Sequence, residues 1–187
     1  MKKIILFATC AFITSSVLAD ELSQYQSEAR AVAMPFLKKL GAANQQAVSE
    51  GGHESAVKVC KDIAPAMTSE ISRQTGWKLT RVSLKVRNPL FGTPDAWEQK
   101  QLQDFAARAA QGEKAETIEA SEIVSEPAGK SYRFMKAIAL QPGCIACHGT
   151  AIPEDVKARL DSDYPHDQAT GYSAGQIRGA VSIKRPL

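Results

Sequence analysis

From Asp20 to Gln74 the apolar residues recur every three or four positions, and from Trp77 onward the period repeatedly shortens to two. Ala33, Phe36, Leu37 and Leu40 share one stripe, which predicts an amphipathic helix from Asp20 to about Glu50. Gly51-Gly52 ends it. A second helix is predicted over His53–Gln74, with Val57, Cys60, Ile63, Ala64, Met67 and Ile71 on one face. Pro65 removes a donor from that helix and crowds the Lys61 carbonyl, so a kink or a break belongs there. Trp77–Arg87 reads as a half-buried strand, closed by Asn88-Pro89. Thr93 or Asp95 caps a third helix over Ala96–Ala110. Glu116–Ser125 and Ser131–Leu140 read as partner strands around a Pro127-Ala128-Gly129-Lys130 turn. Glu154–Leu160 reads as a short helix and Ile177–Lys184 as a last strand. Strands and helices do not alternate regularly. The class is therefore α+β, an antiparallel sheet with flanking helices, preceded by N-terminal helices.

The first residues read as an address. Met1-Lys2-Lys3 is followed by an apolar run and by Val17-Leu18-Ala19, the pattern of an export signal cleaved after Ala19. The mature chain, Asp20–Leu187, is expected to be one domain in the periplasm. No later stretch is apolar for long enough to span a membrane. With 44% hydrophobic residues the chain is too apolar for disorder. A formal charge of +3 is no nucleic-acid footprint.

Three cysteines remain in the mature chain: Cys60, Cys144 and Cys147. An odd number in an exported protein asks for more than a disulfide framework. Cys144-Ile145-Ala146-Cys147-His148 is C-x-x-C-H, the attachment sequence of c-type haem. Its two thiols form thioethers with the two vinyl groups, and the next residue sets an imidazole under the iron. Pro142-Gly143 supplies a loop just before it. Three other readings of the pair stand beside this one: a redox dithiol, a structural disulfide, and a Cys₃His zinc site with Cys60. The dithiol chemistry belongs in a βαβ setting, which is absent from this order of elements. Adjacent Cys147 and His148 are awkwardly placed to chelate one ion.

No Met follows the motif, so a small His/Met cytochrome pattern does not fit. The candidates for the other side of the iron are Cys60, His53, Met67, Met135, Met34 and His166, or no residue at all. Cys60 lies on the apolar stripe of the second helix, and a free Cys there is also an ordinary small hydrophobe.

Several blocks together resemble the PAS-like c-type haem-binding domain family, long counted as a domain of unknown function. They are Val59–Pro65, Val82–Pro89, Pro94–Glu98, Tyr132–Met135, Cys144–Gly149 and Gly171–Ala180, and in order they cover nearly the whole mature chain. The resemblance implies a PAS-like fold with haem c held against the sheet. It also implies His/Cys axial ligation, with His148 proximal and Cys60 distal. Its members occur alone or as extracytoplasmic parts of signalling proteins.

A bound haem needs partners for its propionates. Arg81, Lys85 and Arg87 on one strand, and Arg133 on another, are the candidates, Arg87 and Arg133 foremost; each is equally open to being a solvated sheet residue. Trp97 and Tyr132 are candidates to pack on the porphyrin, or ordinary core. A thiolate ligand stabilises ferric iron, so the expected potential is low. Three functions remain: a one-electron carrier, a haem-based redox or gas sensor acting through a signalling partner, and a dithiol oxidoreductase. No nucleophilic or paired-carboxylate constellation stands out, so substrate turnover is not expected. The helical start of the mature chain is open to two uses, a homodimer contact or packing on its own domain.

Overall fold

In a computed structural model of the chain, residues 13–187 are described, with side chains from Asp20 onward. The expected export signal lies largely outside the described residues. Helix α1 runs over Ile13–Lys58 and is broken at Gly51 and Gly52, where Gly52 takes φ 73°. A single π-turn, Val59–Ile63, joins it to α2 at Ala64–Thr75. Strand β1 is Lys78–Val82, followed by a one-turn helix α3 at Pro89–Gly92 and by α4 at Ala96–Ala110. Strands β2 (Glu119–Glu126) and β3 (Gly129–Ala139) form a hairpin. A 3₁₀ turn, Pro142–Cys144, leads into the short α5 at Ile145–His148. Helix α6 (Glu154–Asp163) and strand β4 (Ile177–Pro186) complete the chain.

The four strands are antiparallel in the order β1-β4-β3-β2. The α+β reading holds, with helices on both faces of the sheet. Ala29, Ala33 and Phe36 of α1 bury one face with Leu79, Tyr132, Phe134, Val181 and Ile183. Met67 and Ile71 of α2 pack at the same layer. Leu102 and Phe105 of α4 bury the other face with Val82, Met135, Ala137 and Ala180. Phe134 and Met135 thus point to opposite layers, as the period of a strand requires. The apolar stripe of α1 packs on its own domain.

The third helix begins where the sequence places it. Asp95 accepts from the Glu98 amide at 2.9 Å while Glu98 returns a bond to the Asp95 amide at 2.8 Å, a capping box. The expected strand over Trp77–Arg87 is shorter than its alternation suggests. Its ladder with β4 ends at Val82 opposite Ala180. Beyond that pair a register shift between Ile138 and Ala139 bends β4. The Ser83 amide turns to the Gly92 carbonyl at 3.2 Å and its hydroxyl to Lys85 O at 2.9 Å. Lys85 and Arg87 therefore lie in irregular backbone, not on a strand face with Arg81.

Trp97 and Tyr132 belong to the core. Tyr132 is 1% exposed under α1. Trp97, in the first turn of α4, packs against the Leu102 and Phe105 layer, and its indole N–H donates to Glu122 at 2.8 Å. Among the described residues, no helix is long and apolar enough to cross a membrane.

Candidate functional site

The C-x-x-C-H segment folds as a tight turn, a 3₁₀ turn running into α5. Its exit depends on Gly149. A Cβ there would lie 2.6 Å from the Ile145 side chain and 2.7 Å from the Ile145 carbonyl oxygen. That closeness lets the Gly149 amide donate to Ile145 O at 2.7 Å. The following backbone then pairs with the loop before β4. Tyr172 N donates to His148 O at 2.9 Å, and Gly171 N donates to Gly149 O at 2.9 Å.

The same loop orients the imidazole. His148 Nδ1–H donates to the Ala169 carbonyl at 2.7 Å. That bond selects the tautomer whose Nε2 keeps its lone pair, the arrangement a metal-bound histidine uses. Burial, with Arg178 and Arg87 nearby, pushes the ring's pKa down to about 2 and holds it neutral. Ala169 stays in place because Asp167 accepts from its amide at 2.7 Å.

Arg87 clamps this loop to the motif. It is 8% exposed and pairs with Asp167 at 2.9 Å. It also donates to the Cys147 carbonyl at 2.5 Å. Arg87 therefore stands beside the C-x-x-C-H turn, with its charge matched by Asp167.

Cys60 lies near Cys147 of the motif. It sits in the π-turn, a widened turn of the kind often found at functional sites. The cause is Pro65, which has no N–H to give Lys61 O; the Ala64 amide bonds instead five residues back, to Val59 O. Val57, one turn earlier, packs with Val156, Leu160 and Tyr164 of the α6 region, and Cys147 packs against the same cluster. Lys61 binds Asp163 at 2.5 Å and ties the π-turn to the end of α6. Cys60, Cys144 and Cys147 are free thiols. Burial pushes the Cys147 thiol up, Arg87 opposes this, and the nearby Cys60 and Cys144 push it further. Among the described residues, no group of three or more His, Cys, Asp or Glu is placed to hold a metal ion, which leaves the zinc reading without a site.

The other distal candidates lie apart from this arrangement. Met135 is fully buried under α4, Met67 packs in the α1 layer, Met34 is 49% exposed, and His166 is exposed on the loop. His53 is half-buried just after the Gly51–Gly52 break. Arg133 is also placed elsewhere. Its guanidinium meets Asp95 at 2.7 Å and Glu98 at 3.3 Å, and it stacks 4.7 Å above Trp97. It serves the start of α4.

One residue in the centre escaped the sequence reading. Arg178 Nε lies 3.2 Å from His148 Nδ1 and 3.4 Å from Nε2, and Tyr172 stands edge-on to the same ring at 6.4 Å. Two thiols, a neutral histidine held through Nδ1 and a third thiol nearby are donors that could hold a haem.

A family model described as Tll0287-like matches residues 14–186. Among solved structures, the crystal structure of the cyanobacterial haem protein Tll0287 is similar, with a TM-score of 0.62. Identity is 23%, over 82% of this chain and 92% of that one, so the likeness speaks for the fold. No curated protein matches the chain.

Proposed function

The chain belongs to the Tll0287-like family, and from that premise we propose that it is an exported protein carrying one c-type haem and moving single electrons in the periplasm. Cys144 and Cys147 would hold the haem covalently, and His148 and Cys60 would ligate its iron. The observation that carries this reading is the setting of His148. Its Nδ1 proton is committed to Ala169 O, which leaves the Nε2 lone pair for a metal, directly after the free thiol of Cys147 in the chain. The similar cyanobacterial protein is itself a haem protein.

Bound there, haem supplies a one-electron ferric–ferrous couple. The residues of this chain do the rest. Ala169 fixes the imidazole's tautomer and direction, and Arg87 keeps the attachment turn in place. The π-turn presents Cys60. A thiolate at that position favours the ferric state, so the potential lies well below that of a His/Met site. A rigidly held ligand pair changes little between oxidation states, which suits electron transfer.

The test is a pyridine haemochrome spectrum after acid–acetone extraction, on protein exported from a host that attaches haem c. Haem that stays with the protein and shows two thioethers is expected; freely extracted or absent haem would overturn the reading. Electron paramagnetic resonance tests the distal ligand. The ferric spectrum is expected to change in Cys60→Ala, and an unchanged spectrum would remove Cys60 from the iron. Reversible voltammetry with retained ligation supports the carrier. Loss of a ligand on reduction followed by carbon monoxide binding would turn the assignment to a sensor.

A further inference from the structure

We propose that Arg178 anchors the haem propionates, and that Arg87 does not. This rests on the haem reading above and adds to it the residue that recognises the acidic edge of the group.

The sheet sends Arg178 to the site by an irregularity. Ile138 faces Gly179 across the β3–β4 ladder while the next residue, Ala139, faces Ile177, so Arg178 is the extra residue of a bulge. Ile177 and Ala180 both pack toward α4 although they are three positions apart, which strict alternation forbids. A bulge of this kind re-aims a side chain. Gly179 permits it, because a Cβ there would lie 2.3 Å from the Val82 carbonyl.

The guanidinium then meets only neutral partners. Arg178 Nη1 donates to Ser83 Oγ at 2.7 Å and to Lys85 O at 3.2 Å, Nε lies against His148, and the Tyr172 ring is 5.7 Å away. Among the described residues, no carboxylate comes within ion-pair distance of Arg178 or of Arg81, whereas Arg87 is 2.9 Å from Asp167. Burial opposes the charge of Arg178, Arg87 and Arg81 add to that, and Tyr172 and Asp167 work against it. A half-enclosed guanidinium facing other cations is costly unless an anion arrives. Iron at His148 Nε2 takes the lone pair that Arg178 now approaches and leaves the guanidinium with neutral oxygens. A carboxylate answers its fork geometry. A cavity of about 600 Å³ opens beside Arg178, between α4 and the Gly171–Gly179 segment, with Lys85 and Tyr172 also at its wall.

The experiment compares ferric haem with its dimethyl ester, whose propionates carry no charge. The protein is the full chain with Cys144→Ala and Cys147→Ala, so that binding is reversible. That protein is expected to hold haem about tenfold or more tighter than the ester. Arg178→Gln should weaken haem by about tenfold and leave the ester unchanged. Arg178→Lys should recover part of the loss. Equal affinity for haem and ester, or a loss shared by both ligands, would overturn the assignment. Where the thioether-free variant fails to bind either ligand, the holoprotein with native cysteines decides. Its Arg178→Gln variant should gain a pH-dependent midpoint potential in the weakly acidic range as an unpaired propionate titrates, and a pH-independent potential would overturn the proposal. A wild-type chain that leaves a haem-attaching host without haem would instead sink the underlying haem reading.

Discussion

Arg87 and Arg178 carry the same charge and stand around the same histidine, but their partners divide their roles. Arg87 is closed off by Asp167 and by the Cys147 carbonyl, so it acts as a structural clamp. Replacing it with Ala leaves the Asp167 carboxylate buried and unpaired. We expect a loss of roughly 3–5 kcal/mol in the urea unfolding of the holoprotein. A loss under about 1 kcal/mol would mean that Asp167 finds water or another donor, as exposed pairs do. Gly149 is equally constrained. Its Cβ in Gly149→Ala would press on both the side chain and the carbonyl of Ile145. That substitution should lower the yield of covalently attached haem, measured by the ratio of haem to protein, because the turn can no longer close behind His148. The Cys144–His148 motif is legible in five consecutive letters, since its residues are neighbours in sequence. Arg178 was not, because its direction is set by a bulge that only strand pairing creates.

At the scale of elements, the π-turn and the bulge do what regular structure cannot: they aim Cys60 and Arg178 inward. A kink was expected at Pro65, and the structure realises it one turn earlier as Val59–Ile63. Pro65→Ala restores the donor that Lys61 O lacks. The helix is then free to rewind, and Cys60 turns relative to the motif. We expect the visible and paramagnetic spectra of the ferric protein to shift while its thermal stability holds or rises slightly. Unchanged spectra would mean that packing on α6, not the proline, maintains the turn. Gly179 guards the other irregularity. Gly179→Ala drives a methyl into the Val82 carbonyl, and we expect a cost of about 1–3 kcal/mol in denaturant unfolding. The shortened β1 follows from the same crossing: once β4 bends, Ser83 to Arg87 lose their ladder partner, although their alternation continues on paper.

Across the whole molecule, long-range ion pairs join the N-terminal helices to the rest. Arg30 of α1 binds Glu119 of β2, and Lys61 of the π-turn binds Asp163 of α6. The hydrogen bond from Lys61 holds the Asp163 carboxyl below its ordinary value against the effect of burial, with Arg159 adding to it. Burial would raise Glu119, but Arg30 and Lys136 bring it below. A carboxylate whose folded pKa is depressed contributes stability above its unfolded pKa and loses it as pH falls through the folded value. Unfolding free energy should therefore be level near neutral pH and fall below about pH 4, with part of that fall removed in Asp163→Asn. A steep loss already between neutrality and pH 5 would point to histidine protonation instead. The class, the helices, the hairpin and the attachment turn could be read from the chain alone, because apolar period, caps and consecutive ligands are properties of neighbours in sequence. The pairing of Arg87 with Asp167, the carbonyl that orients His148, and the freedom of Arg178 could not. Each joins residues that are distant along the chain, and burial and charge between such groups exist only once the sheet and its helices have packed.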